Sequence, residues 1–114
     1  MVFASAIAVL LAAPFAQAVD PAGRWDCSAN TPNGEQVPFQ MTVSRQGGQF
    51  SVALKAPDRP EFTVPEATLE GDTLTFKVTV SEGNFTIRLR FSQDAFEGEW
   101  RGNEESGRMK GKRG

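Results

Sequence analysis

The sequence predicts an all-β protein, an eight-stranded antiparallel up-and-down barrel preceded by a signal peptide. Three observations support this fold class. Apolar residues alternate with polar ones from Trp25 almost to the end of the chain, as in strands with one buried face. Short turns rich in Gly, Asn and Asp join the segments, which is typical of antiparallel hairpins. A meander of eight strands can remove its exposed edges by closing into a barrel, and an open sandwich of two sheets is the alternative.

Residues 1–18 have the pattern of a secretory signal peptide. An apolar, Ala-rich run from Val2 to Ala13 is broken at Pro14, and Ala16-Gln17-Ala18 offers a cleavage site before Val19. The run is too short to hold the chain in a bilayer as a stable anchor. We therefore expect a secreted or periplasmic protein in which residues 19–114 form one small β-barrel domain. After cleavage of the signal, this domain would not span a membrane.

The alternation divides the domain into eight strands. Four-residue loops at 45–48, 81–84, 92–95 and 102–105, and a two-residue loop at Gly71-Asp72, would each close a hairpin. The fourth strand changes the parity of its apolar residues around Pro65, which predicts a bulge or a bend. The predicted strands are 23–29, 36–44, 49–55, 61–70, 73–80, 85–91, 95–101 and 106–113.

The loop positions also predict strand registers. In the last hairpin each large inner side chain would face a small one, as a narrow interior requires. The loop at 81–84 would place Lys77 opposite Arg88, an unfavourable pair of like charges. The pairs predicted for the last hairpin are Trp100 with Gly107, Gly98 with Met109, and Phe96 with Gly111.

Closure of the barrel would bring the first strand beside the last. Trp25 has the inner parity of the first strand, and Arg113 has the inner parity of the last. We therefore expect the Arg113 guanidinium to stack over the Trp25 ring and to plug that end of the barrel through a cation–π contact.

The composition lacks the usual residues of catalytic and metal sites. The chain has no His, no Tyr, one Cys and a net charge of −2, so His-based nucleophile pairs and His-rich metal sites are excluded. Glu97 and Glu99 are the one carboxylate pair of interest, and basic neighbours on the outer face account for their charge. We expect no enzymatic activity, no metal site and no cofactor. Cys27 shares the face of Trp25 and is expected to be a small buried residue.

Nucleic acid is not an expected partner either. The charge is mild, and all seven Phe of the mature chain fall on the predicted core face, so no exposed aromatic residues accompany the basic ones. The same seven Phe, with the two Trp, give the interior a largely aromatic lining.

The chain resembles the calycins, the lipocalin and avidin-like barrels, in Gly23-Arg24-Trp25 at the start of the first strand and in the late Arg113. It is also similar to small secreted bacterial β domains found alone or appended to hydrolases. The resemblance implies a barrel, export, and a barrel end closed by Gly23, Trp25 and Arg113, and it implies no established activity. Its further motifs are Thr31-Pro32-x-Gly34, Pro38-Phe39, Gly47-Gly48, Gly71-Asp72-Thr73-Leu74-x-Phe76, Gly98-x-Trp100 and Ser106-Gly107-x-Met109.

Two functions remain open from the sequence. The first is a monomeric carrier that binds a small apolar molecule in the barrel mouth, since an eight-stranded barrel can hold one small ligand. The second is a structural or protein-interaction module of the envelope with a filled core, such as an inhibitor that uses the arm at 19–22. The residues expected to contact an apolar ligand are Phe39, Phe50, Phe76, Phe91 and Trp100.

Overall fold

The structure, a computed structural model, describes residues 19–80 and 83–114. The predicted signal peptide (1–18) lies outside these residues. Each strand pairs antiparallel with the next along the chain, and β8 pairs with β1, so the sheet closes into a barrel. The predicted eight-stranded barrel is confirmed, and the open sandwich is not formed. The strands are β1 (Gly23–Asn30), β2 (Gln36–Gln46), β3 (Gln49–Lys55), β4 (Phe62–Glu70), β5 (Thr73–Val80), β6 (Gly83–Phe91), β7 (Ala95–Arg101) and β8 (Ser106–Arg113).

The buried core follows the alternation in the sequence. Met41, Leu74 and Leu89 are completely buried in the interior, whereas their chain neighbours on the same strands are exposed or half-buried. Alternate side chains of a strand point to opposite faces, so every strand places one apolar row inside the barrel. Within the described residues no polar or charged residue is buried.

The last two hairpins have the predicted registers. The 92–95 loop gives the pair Phe91↔Phe96. In the final hairpin the glycines leave space for the large side chains opposite them, since a Cβ at Gly111 would overlap the Phe96 ring. The pairs are Trp100↔Gly107, Gly98↔Met109 and Phe96↔Gly111.

The predicted register of β2 and β3 is wrong by two residues. The four-residue loop expected at 45–48 is a two-residue turn, because Gln46 pairs with Gln49. Gly47 and Gly48 have φ angles of 57° and 86°, the left-handed conformations that a tight hairpin turn needs at both central positions. The two glycines therefore form the whole turn.

The predicted register of β5 and β6 is wrong in the same way. Val80 pairs with Gly83, so only residues 81 and 82 separate the paired positions. As a result Lys77 faces Thr86 and not Arg88, and the expected like-charge contact is absent. Both errors keep the parity of the strands, so the same side chains still point inwards.

Strand β4 contains the predicted irregularity. Its register with β3 shifts between Phe50 and Val52, where Ala67 and Val64 are the partners, so β4 carries an extra residue in this stretch. Next to β5, pairing runs only from Thr68↔Thr75 to Glu70↔Thr73. We call the remaining stretch, residues 62–67 of β4 and 76–80 of β5, the β4–β5 seam. Pro65 lies in it and has no N–H to donate to a ladder.

Candidate functional site

The two ends of the barrel differ in how they are filled. Because consecutive strands run in opposite directions, the starts of odd-numbered strands and the ends of even-numbered strands meet at one end, which contains Trp25. The other end contains Trp100 at the end of β7. We call them the closed end and the open end.

Aromatic side chains fill the closed end. Trp25 is 1% exposed, and its ring packs edge to face on Phe91 and Phe96, with centroids 4.9 and 5.7 Å away. Phe91 and Phe96 are themselves 5.1 Å apart. The Trp25 Nε1–H donates to the Pro21 carbonyl at 2.9 Å, so the polar atom of this buried ring is satisfied.

Arg113 covers this aromatic cluster, in the contact predicted from the strand parities. Its guanidinium carbon lies 4.3 Å from the centroid of the Trp25 ring. The guanidinium also donates to the carbonyls of Ala22 (2.9 Å), Asp20 (3.1 Å) and Gln93 (3.1 Å). Arg113 therefore ties the residues before β1 to the loop after β6.

Gly23 provides the space that Arg113 needs. Its φ is 131°, a conformation that residues with a side chain rarely adopt, and a Cβ there would lie 2.8 Å from Arg113 Nη1. A glycine at the start of β1 therefore allows the guanidinium to reach the backbone of the preceding residues.

The arm at 19–22 is fastened to the closed end. Pro21 is buried and Val19 packs against the core. Asp20 accepts a hydrogen bond from the Ala22 N–H and pairs with Arg45 at 2.6 Å, and these contacts, in that order of importance, lower the pKa of the Asp20 carboxyl. The structure thus packs this segment against the barrel through Val19 and Pro21, while Asp20 stays exposed.

The open end contains a cavity of about 440 Å³. Trp100 forms part of its wall and packs edge to face on Phe85, with centroids 5.7 Å apart. The Trp100 Nε1–H donates to the Asn30 carbonyl at 2.9 Å, so the ring presents only apolar atoms. The apolar lining is Ala29, Val37, Phe39, Leu54, Phe62, Val78, Val80, Phe85, Ile87, Trp100 and Met109, and the other lining residues are Asn30, Thr31, Pro32, Lys55, Ala56, Arg59 and Pro60.

Two of the five aromatic residues expected to contact a ligand line this cavity. Phe39 and Trp100 belong to its wall, whereas Phe50, Phe76 and Phe91 do not. These three are buried in the core, and Phe91 packs against Trp25 at the closed end. The structure therefore separates the predicted set into a mouth group and a core group.

Sequence reasoning missed Phe62 and Phe85, which both line the cavity. The sequence did contain a signal for these residues. Consecutive strands of the meander run in opposite directions, so the position of an inner residue along its strand tells which end of the barrel it lies near. Inner residues near the end of an odd strand or the start of an even strand share the mouth with Trp100. Ala29, Val37, Leu54, Phe62, Val80 and Phe85 all satisfy this rule and all line the cavity.

The loop between β3 and β4 forms one side of the mouth. Lys55 Nζ donates to the carbonyls of Ala56 (3.0 Å) and Arg59 (2.7 Å), and the Arg59 N–H donates to the Ala56 carbonyl at 3.3 Å. These bonds hold the loop in a compact turn that places Lys55 and Arg59 at the cavity.

The outer face has a different chemistry. A broad depression of about 1140 Å³ has charged residues of both signs in its lining, including Asp26, Glu97 and Lys110, beside the apolar side chains of Phe39, Phe91 and Phe96. Glu97 forms an ion pair with Arg108 at 3.8 Å. This mixed lining differs from the wall of the open-end cavity, in which the charged residues are few and of one sign.

The carboxylate pair singled out in the sequence lies on this outer face. Glu99 pairs with Arg101 at 3.6 Å, two residues along the same strand, and its cross-strand neighbours are Arg88 and Arg108. In the part of the chain that the structure describes, no three His, Cys, Asp or Glu residues come together as a metal site would require.

Cys27 lies inside the barrel. It is 8% exposed, and burial, assisted by the negative charge of Asp26, raises the pKa of its thiol to about 12. A thiol with this pKa is almost entirely protonated at neutral pH, which makes it a poor nucleophile.

Comparison with known proteins supports the fold alone. No protein-family model matches the chain, and no curated protein matches it. Among solved structures, the chain is similar to one described as a redesigned beta barrel, with a TM-score of 0.65 and 14% identity over 82% of this chain and 90% of that one. In residues 19–80 and 83–114 no helix is long and apolar enough to cross a membrane.

Proposed function

We propose that this protein is a secreted or periplasmic, non-catalytic barrel that holds a small apolar molecule at its open end. The observation that carries the proposal is the cavity of about 440 Å³, which has a size and a lining that suit a small-molecule site. Export follows from the signal-peptide pattern of residues 1–18.

The contrast between the two ends supports this function. At the closed end, Trp25, Phe91 and Phe96 fill the interior and Arg113 covers them. At the open end the apolar side chains of Phe62, Phe85 and Trp100 enclose space without filling it. A protein whose barrel served only as a scaffold would gain stability from filling this space as well, since packed apolar contacts stabilise a core.

The exposure of Val37 agrees with a binding mouth. Val37 is 38% exposed, which makes it the most exposed large hydrophobic residue in the described part of the chain. It lines the cavity at the start of β2, where a bound apolar molecule would cover it. A single exposed apolar residue is ordinary on a protein surface, so Val37 supports the proposal only through its place in the cavity wall.

Titration with a neutral fluorescent probe, N-phenylnaphthylamine, tests this proposal on the mature chain. We expect saturable binding by the native protein and strongly weakened binding by Ala29→Phe, because the new ring would project into the cavity between Val37 and Met109. Thr42→Phe is the matched control, since Thr42 is exposed on the outer face of β2. Far-ultraviolet circular dichroism checks that both variants fold.

Two results would count against carriage of an apolar molecule. One is the absence of saturable probe binding by native protein. The other is equal binding by Ala29→Phe and the native chain, which would place the probe elsewhere. Native mass spectrometry of the protein purified from its own host would then identify any molecule that co-purifies.

A further inference from the structure

We propose that the molecule bound at the open end is an amphiphile with one negatively charged head group. This inference rests on the proposed function. The floor and walls of the cavity are apolar, and the charged residues among its lining, Lys55 and Arg59, are both cationic. An apolar chain inside the cavity would therefore leave its polar end beside two positive charges.

Lys55 is held in place for this role. Two of its three N–H donors are directed at the carbonyls of Ala56 and Arg59, which fixes the ammonium at the loop between β3 and β4. These partners are neutral, so the positive charge of Lys55 is not cancelled.

Arg59 has its guanidinium available to a ligand. In residues 19–80 and 83–114 it forms no ion pair, since the ion-paired carboxylates there pair with Arg45, Arg101, Arg108 and Arg113. The backbone of Arg59 shapes the loop through its N–H and carbonyl, and its side chain makes no hydrogen bond there. A guanidinium favours carboxylate oxygens because its parallel N–H groups match them.

The loops around the mouth also limit the charge that a head group can carry. In residues 19–80 and 83–114 these loops hold five acidic residues, none of which lines the cavity. Their negative charges would repel a head group that extends out of the cavity, and they would repel a dianion more strongly than a monoanion. The arrangement therefore favours a compact monoanion such as a carboxylate. The acidic residues are Glu35, Asp58, Glu61, Glu104 and Glu105.

Isothermal titration calorimetry with four ligands of equal chain length tests this inference. The ligands are decanoate, decanol, decyltrimethylammonium and decyl phosphate, each titrated at pH 8, where the phosphate carries close to two negative charges. We expect decanoate to bind about two- to five-fold more tightly than decanol, as exposed ion pairs contribute modestly. Decyltrimethylammonium and decyl phosphate should each bind more weakly than decanoate.

Removal of the Arg59 charge should abolish most of this preference. Arg59→Gln is expected to weaken decanoate binding by about two- to five-fold and to leave decanol binding unchanged. Arg24→Gln is the matched control, because Arg24 is an exposed arginine near the closed end. It should leave all four affinities unchanged.

The outcomes separate this inference from the proposed function. If decanol or decyltrimethylammonium binds as tightly as decanoate, the anionic head group is refuted while an apolar site stands. If decyl phosphate binds more tightly than decanoate, the restriction to one negative charge is wrong. An unchanged preference in Arg59→Gln would refute the assignment of the head group to Arg59. If none of the four ligands binds, the proposed function itself fails.

Discussion

Arg113→Met should destabilise the barrel by about 2.5 kcal/mol, because it removes the guanidinium that covers the closed end while keeping an apolar side chain. The cation–π contact with Trp25, at 4.3 Å, is expected to contribute about 1 kcal/mol. The hydrogen bonds to the Ala22, Asp20 and Gln93 carbonyls should contribute about 0.5 kcal/mol each at the lower end of the usual range. The low end applies because the Arg113 side chain is 33% exposed.

Urea unfolding followed by tryptophan fluorescence measures this change, since Trp25 reports on the closed end. Lys112→Met is the matched control, because Lys112 is the exposed neighbour of Arg113 on β8. Arg113→Lys should give an intermediate loss, since it keeps the charge but not the guanidinium donors. A loss below about 0.5 kcal/mol in Arg113→Met, or one equal to that of the control, would refute this account of the closed end.

Three further predictions concern the core, the seam and a register. Burial raises the pKa of the Cys27 thiol to about 12, so this group's contribution to stability is complete below the unfolded pKa of about 8.5 and is lost as pH rises towards 12. Between pH 7 and pH 10, the free energy of unfolding measured in urea should fall by about 2 kcal/mol more for the native protein than for Cys27→Ala. Parallel curves of unfolding free energy against pH for the two proteins would contradict this. Hydrogen exchange should be faster for the amides of β4 and β5 that face the β4–β5 seam than for the amides of β5 that face β6. Uniform protection would show that the seam is closed. In a Cys27→Ala background, cysteines placed at positions 77 and 86 should form a disulfide on oxidation, because these residues are cross-strand partners. Cysteines placed at 77 and 88 should not. A disulfide between 77 and 88 alone would support the register that a four-residue loop predicts.

The inner face of every strand could be predicted from the sequence, because a period of two leaves no choice about which residues point inwards. The apolar pattern alone could not give the exact hairpin registers. A shift of two residues keeps the same face inside, so the apolar pattern does not distinguish a turn at Gly47-Gly48 from a loop at 45–48. The Gly-Gly pair itself is a sequence signal for a two-residue turn, and the positive φ angles of both glycines agree with it.

The candidate site was less predictable than the fold. Phe50, Phe76 and Phe91 have the same parity and the same chemistry as Phe39, Phe62 and Phe85, yet the first three are core residues and the last three line the cavity. The difference is their height along the barrel axis, which depends on the tilt and stagger of the strands.

The arm at 19–22 shows the same limit. No pattern in its sequence indicated that Asp20, Pro21 and Ala22 would be bound by Arg45, Trp25 and Arg113. The contacts of Arg45 and Arg113 join residues far apart in the chain, so local patterning does not report them.

The two tryptophans allow the most direct test of the central claim, that the barrel is filled at one end and binds a ligand at the other. The chain has one Trp at each end, and each indole N–H gives its own signal in a ¹H–¹⁵N nuclear magnetic resonance spectrum. On titration with decanoate we expect the Trp100 indole signal to shift and the Trp25 signal to stay in place. A shift of Trp25 alone, or no shift of either signal at saturating ligand, would contradict the account.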